Sequence, residues 1–380
     1  MKLMHLGDLH LGKSLNEFNL IEDQRFILDR LLSIAEQEAV DGVMICGDVY
    51  DRAVPGEAAV ALLDAFLTKL KEAGKTVFMI SGNHDSDERL NFGSRIFENS
   101  GIHIAGRYDG EMGHVEVSDE YGPLHVWMLP FVKASRVRHF FPEETIDNYD
   151  DAVRTVIRRA GIDPSLRNVI LAHQFVAGPS DPEKAGSETA LATVGTVEKI
   201  GWQCFEDFDY TALGHIHKSQ PVGKETIRYA GSPLRYSLDE KELADEKAVT
   251  LVELKEKGDV QIMHIPLKPR REIRHIRGTL DNLLAHAEDP EDYIYATLTD
   301  DRPQFDAMTR LQQVYPNTMK LDYDNESIRE AMDGVPGDAV EEKGFSELIR
   351  EFYRWILGQD PTEEEMAVLL DAAEEAEVIE

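Results

Sequence analysis

The sequence predicts an α/β protein: a layered α/β/β/α sandwich followed by a small α/β domain and C-terminal helices. Three observations carry this. Short apolar runs alternate with helical stretches over the first part of the chain. After Gly106 strand-like runs dominate, with few helices between them. Several runs stop at a polar, glycine-containing motif.

Lys2 to Gly7 is apolar and short and stops at Asp8. Ile21 to Ala39 has helical periodicity, with Ile21, Leu28, Leu31, Leu32 and Ala35 on one side. Gly42 to Cys46 reads as a buried strand. The next helix is opened by Pro55, whose fixed φ suits a first turn, runs to about Glu72, and is ended by Gly74. Thr76 to Ile80 is the third strand. Strand followed by helix, repeated, calls for a parallel sheet with right-handed crossovers. Leu124 to Leu129, Asn168 to Ala172, Tyr210 to Leu213, Ile227 to Ala230, Ala248 to Leu254 and Val260 to Ile265 are strand-like, with one clear helix around Asp150 to Ala160. A second, mixed sheet packed on the first buries them economically.

Pro266, Pro269 and the basic stretch Lys268 to Arg271 mark a boundary, so the catalytic domain is expected over 1–268. Residues 269–324 form the small domain: a strand near Glu272 to Arg277, a helix near Leu280 to Ala287, a strand at Tyr293 to Leu298 and a helix through Gln304 to Val314. Residues 325–380 form an acidic, Gly/Pro-interrupted linker and two helices. On the first of these, Phe345, Leu348, Ile349, Phe352 and Ile356 share a face. Those helices can pack on the body or dock in a partner's groove.

With 42% apolar and 29% charged residues the 380-residue chain reads as globular. No apolar run approaches the ~20 residues of a membrane span, and the N-terminus lacks a signal-peptide layout. No membrane partner is expected. Cys46 and Cys204 cannot make a disulfide framework, which points to free thiols and a cytoplasmic setting. The formal net charge of −32 argues against a polyanion ligand. It is uneven, however: residues 326–380 hold 17 acidic and 4 basic side chains.

Five polar motifs stand at strand ends, where an α/β sheet places its chemistry. They are Gly7-Asp8-Leu9-His10, Gly47-Asp48-Val49-Tyr50-Asp51-Arg52, Gly82-Asn83-His84-Asp85, Ala172-His173-Gln174 and Gly214-His215-Ile216-His217. In extended chain, side chains two apart share a face, so Asp8 with His10 and His215 with His217 can each point at one ion. Carboxylate, amide and imidazole without thiolate suit Mn²⁺, Fe²⁺ or Zn²⁺. Two such ions, about 3.5–4 Å apart, suit in-line attack on phosphorus. Any one motif alone could be an ordinary turn; five in this order are hard to explain that way.

The ordered set resembles the calcineurin-like metallophosphoesterase superfamily, and in detail its SbcD-like branch of nuclease subunits. The branch-like features are Asp8 to Lys13, Asp209 to His217, Tyr229 to Pro233 and the Pro266 to Arg271 exit. The resemblance spans essentially the whole chain. It implies that Asp8, His10 and His217 hold one divalent cation, that Asp48 bridges, and that Asn83, His173 and His215 hold a second, with Mn²⁺ as the metal. His84 is implied to face the scissile phosphate, with Asp85 orienting it. The implied activity is exonuclease action on double-stranded DNA ends and endonuclease action on single strands or hairpins, in break repair. The implied partners are DNA and an SbcC-like ATPase, with the chain as a homodimer within a heterotetramer. Its dimer surface would use helices such as Glu57 to Glu72 or Asp87 to Asn99, and 269–324 would be a capping domain beside the site.

Two departures stand out. Ala172 precedes His173 where the superfamily usually has glycine. Some relatives carry a second catalytic histidine after the Asp48 loop, where this chain reads Asp51-Arg52-Ala53; Arg52 can touch phosphate or form a salt bridge. A phosphatase or other small-phosphoester hydrolase of the superfamily would use the same metals, so the ligand set does not exclude it. A non-catalytic scaffold would have lost ligands, and none is missing.

Basic residues cluster at Lys133 to His139 and at Lys268 to Arg277, and either cluster can follow a phosphate backbone or be solvated surface. Given the net charge, the isolated chain is predicted to bind DNA weakly, with the partner supplying most of the basic surface. Tight binding of the isolated chain in a salt-titrated assay would contradict this.

Overall fold

The structure, a computed structural model, describes residues 1–184 and 199–324 and short stretches between 350 and 370. The chain divides into two compact units, Met1–His275 with Glu291–Tyr293, and Ile276–Pro290 with Ile294–Glu380. Most of the two C-terminal helices expected from sequence lies outside the described residues.

The first unit holds two six-stranded sheets. In one, Lys2–Leu6 (β1), Gly42–Cys46 (β2), Thr76–Ile80 (β3) and Ile102–Ala105 (β4) run parallel. Helices Ile21–Gln37 (α1) and Glu57–Glu72 (α2) are the crossovers. The second sheet begins with the antiparallel pair Gly113–Asp119 (β5) and Gly122–Leu129 (β6). After Ala134–Phe140 (α3) and Tyr149–Ala160 (α4), Arg167–His173 (β7) and Tyr210–Gly214 (β8) continue it parallel to β6. Gln220–Val222 (β9) and Lys224–Tyr229 (β10) complete it. Ala248–Leu254 (β11) and Val260–Pro266 (β12) then return to the first sheet, antiparallel beside β1.

The two-residue period of the strands makes the sandwich. Met44 and Cys46, and Phe78 and Ile80, meet Leu124, Val126, Met128, Val169, Leu171 and Ala212 in one buried layer. The outer face of the second sheet, including Ile170, Ala172 and Leu213, packs with Val153 and Val156 of α4. One polar pair crosses the dry layer between the sheets. The His5 ring donates from Nε2 to the Leu213 carbonyl at 3.1 Å, which leaves Nδ1 to accept the Tyr210 hydroxyl at 2.9 Å. Burial lowers His5 to about 3, so the ring is neutral, as this pairing requires.

Tyr293–Leu298 (β14) and Thr318–Tyr323 (β15) run parallel, with Ile273–Gly278 (β13) in the same three-stranded sheet, most of which belongs to the second unit. Leu280–Ala285 (α5) and Ala307–Val314 (α6) cover it, burying Leu280, Ile294, Ala296, Leu298 and Leu311.

One expected helix is corrected. Asp87 to Asn99 is broken into single turns, Asp87–Leu90 and Ser94–Phe97, because Gly93 between them takes φ of 78°. Leu90 is buried, whereas Phe92 is 83% and Ile96 74% exposed. Cys46 is buried, Cys204 half-buried, and both are free thiols.

Removing the Tyr210 hydroxyl strands a buried nitrogen. Tyr210→Phe should therefore lower stability by about 1–3 kcal/mol, read by chemical denaturation. An unchanged midpoint would show that the cross-sheet hydrogen bond contributes nothing.

Candidate metal centre

Each singled-out side chain follows the carboxyl end of a parallel strand. Asp8 and His10 leave β1, Asp48 leaves β2, Asn83, His84 and Asp85 leave β3, His173 ends β7, and His215 and His217 leave β8. Both sheets thus deliver their loops to one edge of the sandwich. Nine described non-glycine residues have positive φ, and four of them are Asp8, His10, Asp48 and His215. Backbone strain is concentrated where the side chains converge.

Ligating atoms of Asp8, His10 and His217 lie within 4.8 Å of one another, as do those of Asp8, Asp48 and His173. His10 Nε2 faces His217 Nε2 at 3.1 Å. His173 Nε2 is 3.4 Å from Asp48 Oδ2 and 3.1 Å from Asn83 Oδ1. His215 Nδ1 approaches the same Asn83 oxygen at 3.0 Å. Asp48 Oδ2 is also 3.6 Å from His10 Nε2, so this carboxylate stands between the two groups. All seven expected ligands are brought together.

The tautomers follow from the neighbours. A carbonyl only accepts, so His173 Nδ1–H donates to the Cys46 carbonyl at 2.7 Å and its Nε2 faces Asp48. By the same logic His84 Nδ1–H donates to the Asp51 carbonyl at 3.1 Å. His84 Nε2 then looks toward Asp48 Oδ2 from 4.0 Å. The His84 side chain is 35% exposed, whereas those of His10, Asp48 and His173 are at most 2% exposed, so His84 stands on the open side.

The electrostatics favour a cation. Burial pushes the Asp8 carboxyl up to about 6, His173 opposing and Asp48 adding to the rise. Burial acts to lower His173, but Asp48 outweighs it and lifts the imidazole to about 9. Burial also raises Asp48, yet His173 and His10 hold it well below the usual carboxylate range. Burial and the charge on His173 take His215 down to about 3, while burial and His10 take His217 well below its ordinary value. Two buried carboxylates draw positive charge onto the cluster, and two neutral imidazoles offer lone pairs to it. With the amide oxygen of Asn83, this donor set fits divalent cations.

Close backbone approach makes the geometry possible. A Cβ at Gly82 would lie 2.1 Å from Asp48 Oδ1, and one at Gly214 1.9 Å from the Cys46 carbonyl oxygen.

One expected role is corrected. Asp85 does not orient His84: its carboxylate accepts the backbone N–H of Val49, Tyr50 and Gly82 at 3.1, 2.9 and 2.8 Å. It ties the Asp48 loop to the Asn83 loop. His84 is held through Asp51 and by its own N–H, which donates to Asp48 Oδ1 at 2.9 Å. Asp51 also takes Lys13 at 2.8 Å and stands 3.5 Å from His10 Nδ1. The sequence pattern gives Asp51 no role of its own, although its spacing from Asp48 is visible there.

Three other groups escape sequence reasoning because they act at long range on backbone. Gln24 donates to the His10 carbonyl at 2.7 Å, Tyr236 to the Leu9 carbonyl at 2.6 Å, and Lys247 to the His217 carbonyl at 2.9 Å. Arg52 lies 3.7 Å from Asp51 with its side chain 83% exposed.

The two basic clusters differ. Lys133, Arg136 and His139 line a cavity of about 560 Å³ together with Asn83 and Asp85. In the other cluster Arg271 pairs with Asp23 at 2.9 Å, Arg274 with Asp292 at 2.8 Å, and Arg277 with Asp324. These three arginines serve the chain's own acids.

Gly82→Ala should push the Asp48 carboxylate aside and weaken Mn²⁺ binding roughly 10–100-fold, the scale for losing a ligand's support. A metal titration matching that of the unmodified chain would show that the loop yields without moving Asp48.

Residues 1–219 match the calcineurin-like phosphoesterase family, and 269–355 match the type 5 capsule protein repressor C-terminal domain. The SbcD subunit of the nuclease SbcCD from Staphylococcus epidermidis is 33% identical over 327 residues, covering 84% of this chain and 85% of that protein. Among solved structures, a dimetal phosphatase from Danio rerio aligns with TM-score 0.37 at 12% identity, over 70% of this chain and 99% of that one. The phosphoesterase Yfce from E. coli aligns with TM-score 0.29 at 13% identity, over 70% and 100%. Matched to the family over more than half its length, and to 85% of its SbcD relative, this chain belongs to the calcineurin-like phosphoesterase family, on the branch of the SbcD proteins, and is a metal-dependent phosphoesterase.

Proposed function

We propose that this chain is a two-metal DNA nuclease acting on double-stranded ends and on single strands or hairpins. The observation that carries the reading is the convergence of two carboxylates, one amide and four imidazoles at one edge of the sandwich, in a relative of a named nuclease subunit. Asp8, His10 and His217 would hold one cation and Asn83, His173 and His215 the other, with the Asp48 carboxylate, which stands between the two groups, shared by both. The donor set suits Mn²⁺, Fe²⁺ or Zn²⁺, and the family resemblance selects Mn²⁺ among them. When bound, such a pair supplies a hydroxide at neutral pH and neutralises charge growing on the phosphoryl oxygens.

The rest falls to the chain's own residues. Asp85 and Asp51 keep the Asp48 and His84 loops in place. His84, with Nδ1–H on the Asp51 carbonyl, presents Nε2 to the substrate side, where, with a proton on Nε2 as well, it stabilises charge on the phosphate or passes that Nε2 proton to the leaving oxygen. Lys133, Arg136 and His139, in the cavity that reaches Asn83, attract the phosphate backbone. Exposed Phe92 and Ile96 support pairing with a second copy through this face. An SbcC-like ATPase, docked through the tail beyond residue 325, completes the machine in DNA break repair, within a heterotetramer.

With Mn²⁺ and a labelled DNA hairpin, His84→Gln should cut about 10²–10⁴-fold more slowly and still bind metal. Turnover of a simple phosphate ester with DNA left intact, even after adding an SbcC-like ATPase, would reject the nuclease reading. Loss of metal from His84→Gln would instead make His84 a ligand.

A further inference from the structure

A second cavity, of about 310 Å³, opens directly on the metal centre. Asn83 and His215 form one wall, and Phe131, Tyr149, Phe175 and Lys133 form much of the rest. The three aromatic residues come from separate places in the chain: just beyond β6, at the start of α4 and just beyond β7. Their side chains are half-buried, so ring surface remains open.

The rings also pack against the histidines of the centre and against each other. Phe131 stands edge-on to His173 with ring centroids 6.4 Å apart, and Phe175 edge-on to His215 at 6.3 Å. Phe131 and Tyr149 lie 6.2 Å apart at a 42° tilt. Lys184 Nζ sits 4.5 Å from the Phe175 ring centre, a cation against the same wall.

Metal ligation does not call for these aromatics. A phosphate alone would be served by polar walls, whereas three aromatic side chains line this cavity beside Lys133. Its volume falls at the lower end of small-ligand pockets, enough for a single ring system. We propose that the cavity is a nucleobase slot, in which the base of a nucleotide whose phosphate is held at the metals stacks on Phe175 and its neighbours. This deepens the nuclease reading and rests on it, because it names how the substrate is seated beside the scissile phosphate. Stacking on a protein aromatic tolerates every base, so the slot would position a strand without selecting sequence.

The test is a titration of the full chain, loaded with Mn²⁺, using deoxyadenosine 5′-monophosphate, deoxyribose 5-phosphate and inorganic phosphate. The nucleotide should bind roughly tenfold tighter than the sugar phosphate, the scale of one stacked base. Phe175→Ala should collapse that ratio toward one, and Phe175→Trp should restore it. Inorganic phosphate reports the metal centre separately, so a chain that fails to fold or to load metal is recognised by that arm. Equal affinity for nucleotide and sugar phosphate in the unmodified chain, or a ratio that survives Phe175→Ala, would overturn the slot. Either result is independent of hairpin cleavage, which decides the nuclease reading. Failure to bind any of the three would remove the metal-centre reading and the slot with it.

Discussion

The backbones at the carboxyl edge of the sandwich come so close that there is no room for a methyl group. A Cβ on Gly214 would sit 1.9 Å from the Cys46 carbonyl oxygen, and that carbonyl is the group that fixes the His173 ring. A Cβ on Gly82 would collide with Asp48 itself. These approaches bring ligands from two different sheets within a few ångströms of one another. Everything chemical in the molecule depends on the sheets meeting this tightly. The neutral His5 ring, spanning from the Leu213 carbonyl to Tyr210, supports the same meeting one layer deeper.

Such convergence is electrostatically costly, and the surrounding polar contacts offset it. Burying an uncompensated carboxylate is unfavourable by several kcal/mol, and Asp8 and Asp48 are both buried. Asp8 accepts the His215 N–H at 2.9 Å and Asp48 the His84 N–H at the same distance. Asp85, nearby, takes three backbone N–H groups. Backbone donors thus meet the carboxylates from the protein side, while imidazole nitrogens face them from the other. The lysines around the centre grip Asp51 or a backbone carbonyl rather than Asp8 or Asp48. That leaves the two buried carboxylates as the place for a cation.

Much of this is legible in sequence because one physical rule governs it. A parallel strand must end in a loop, and where that loop carries glycine and then a ligand type, fold and chemistry are written in the same residues. β1, β2, β3 and β8 are readable in this way, together with the side chains that follow them, and β7 by its apolar run into His173. The edge strand β5 is not, because Gly113 to Asp119 offers only Val115 and Val117 as apolar alternation and is half exposed. Nor is the break at Gly93, where a left-handed turn overrides helical composition. Gln24, Tyr236 and Lys247 are beyond reach for another reason: each acts on the carbonyl of a residue remote in sequence, and nothing local marks such a partner. Asp85 shows the complementary error. Adjacency to His84 suggests contact, but the turn aims its carboxylate at the amides of the Asp48 loop.

The site is also asymmetric, and the asymmetry argues for the direction of approach. His10 and His217 are backed by a buried wall of Gln24, Tyr236 and Lys247, so that side of the cluster is closed. The Asn83 and His215 side is open: both cavities that reach the centre touch Asn83, and Lys133 lines both. His84, far more exposed than His10 or His173 around Asp48, gives a further opening beside His10, its ring centroid 4.9 Å away. A polyanion meeting a chain of formal charge −32 would be repelled over most of its surface. The concentration of Lys133, Arg136 and His139 along the open wall gives it one locally favourable path. That path leads past Phe131 to the metals, so the charge distribution and the shape of the cavities point the substrate the same way.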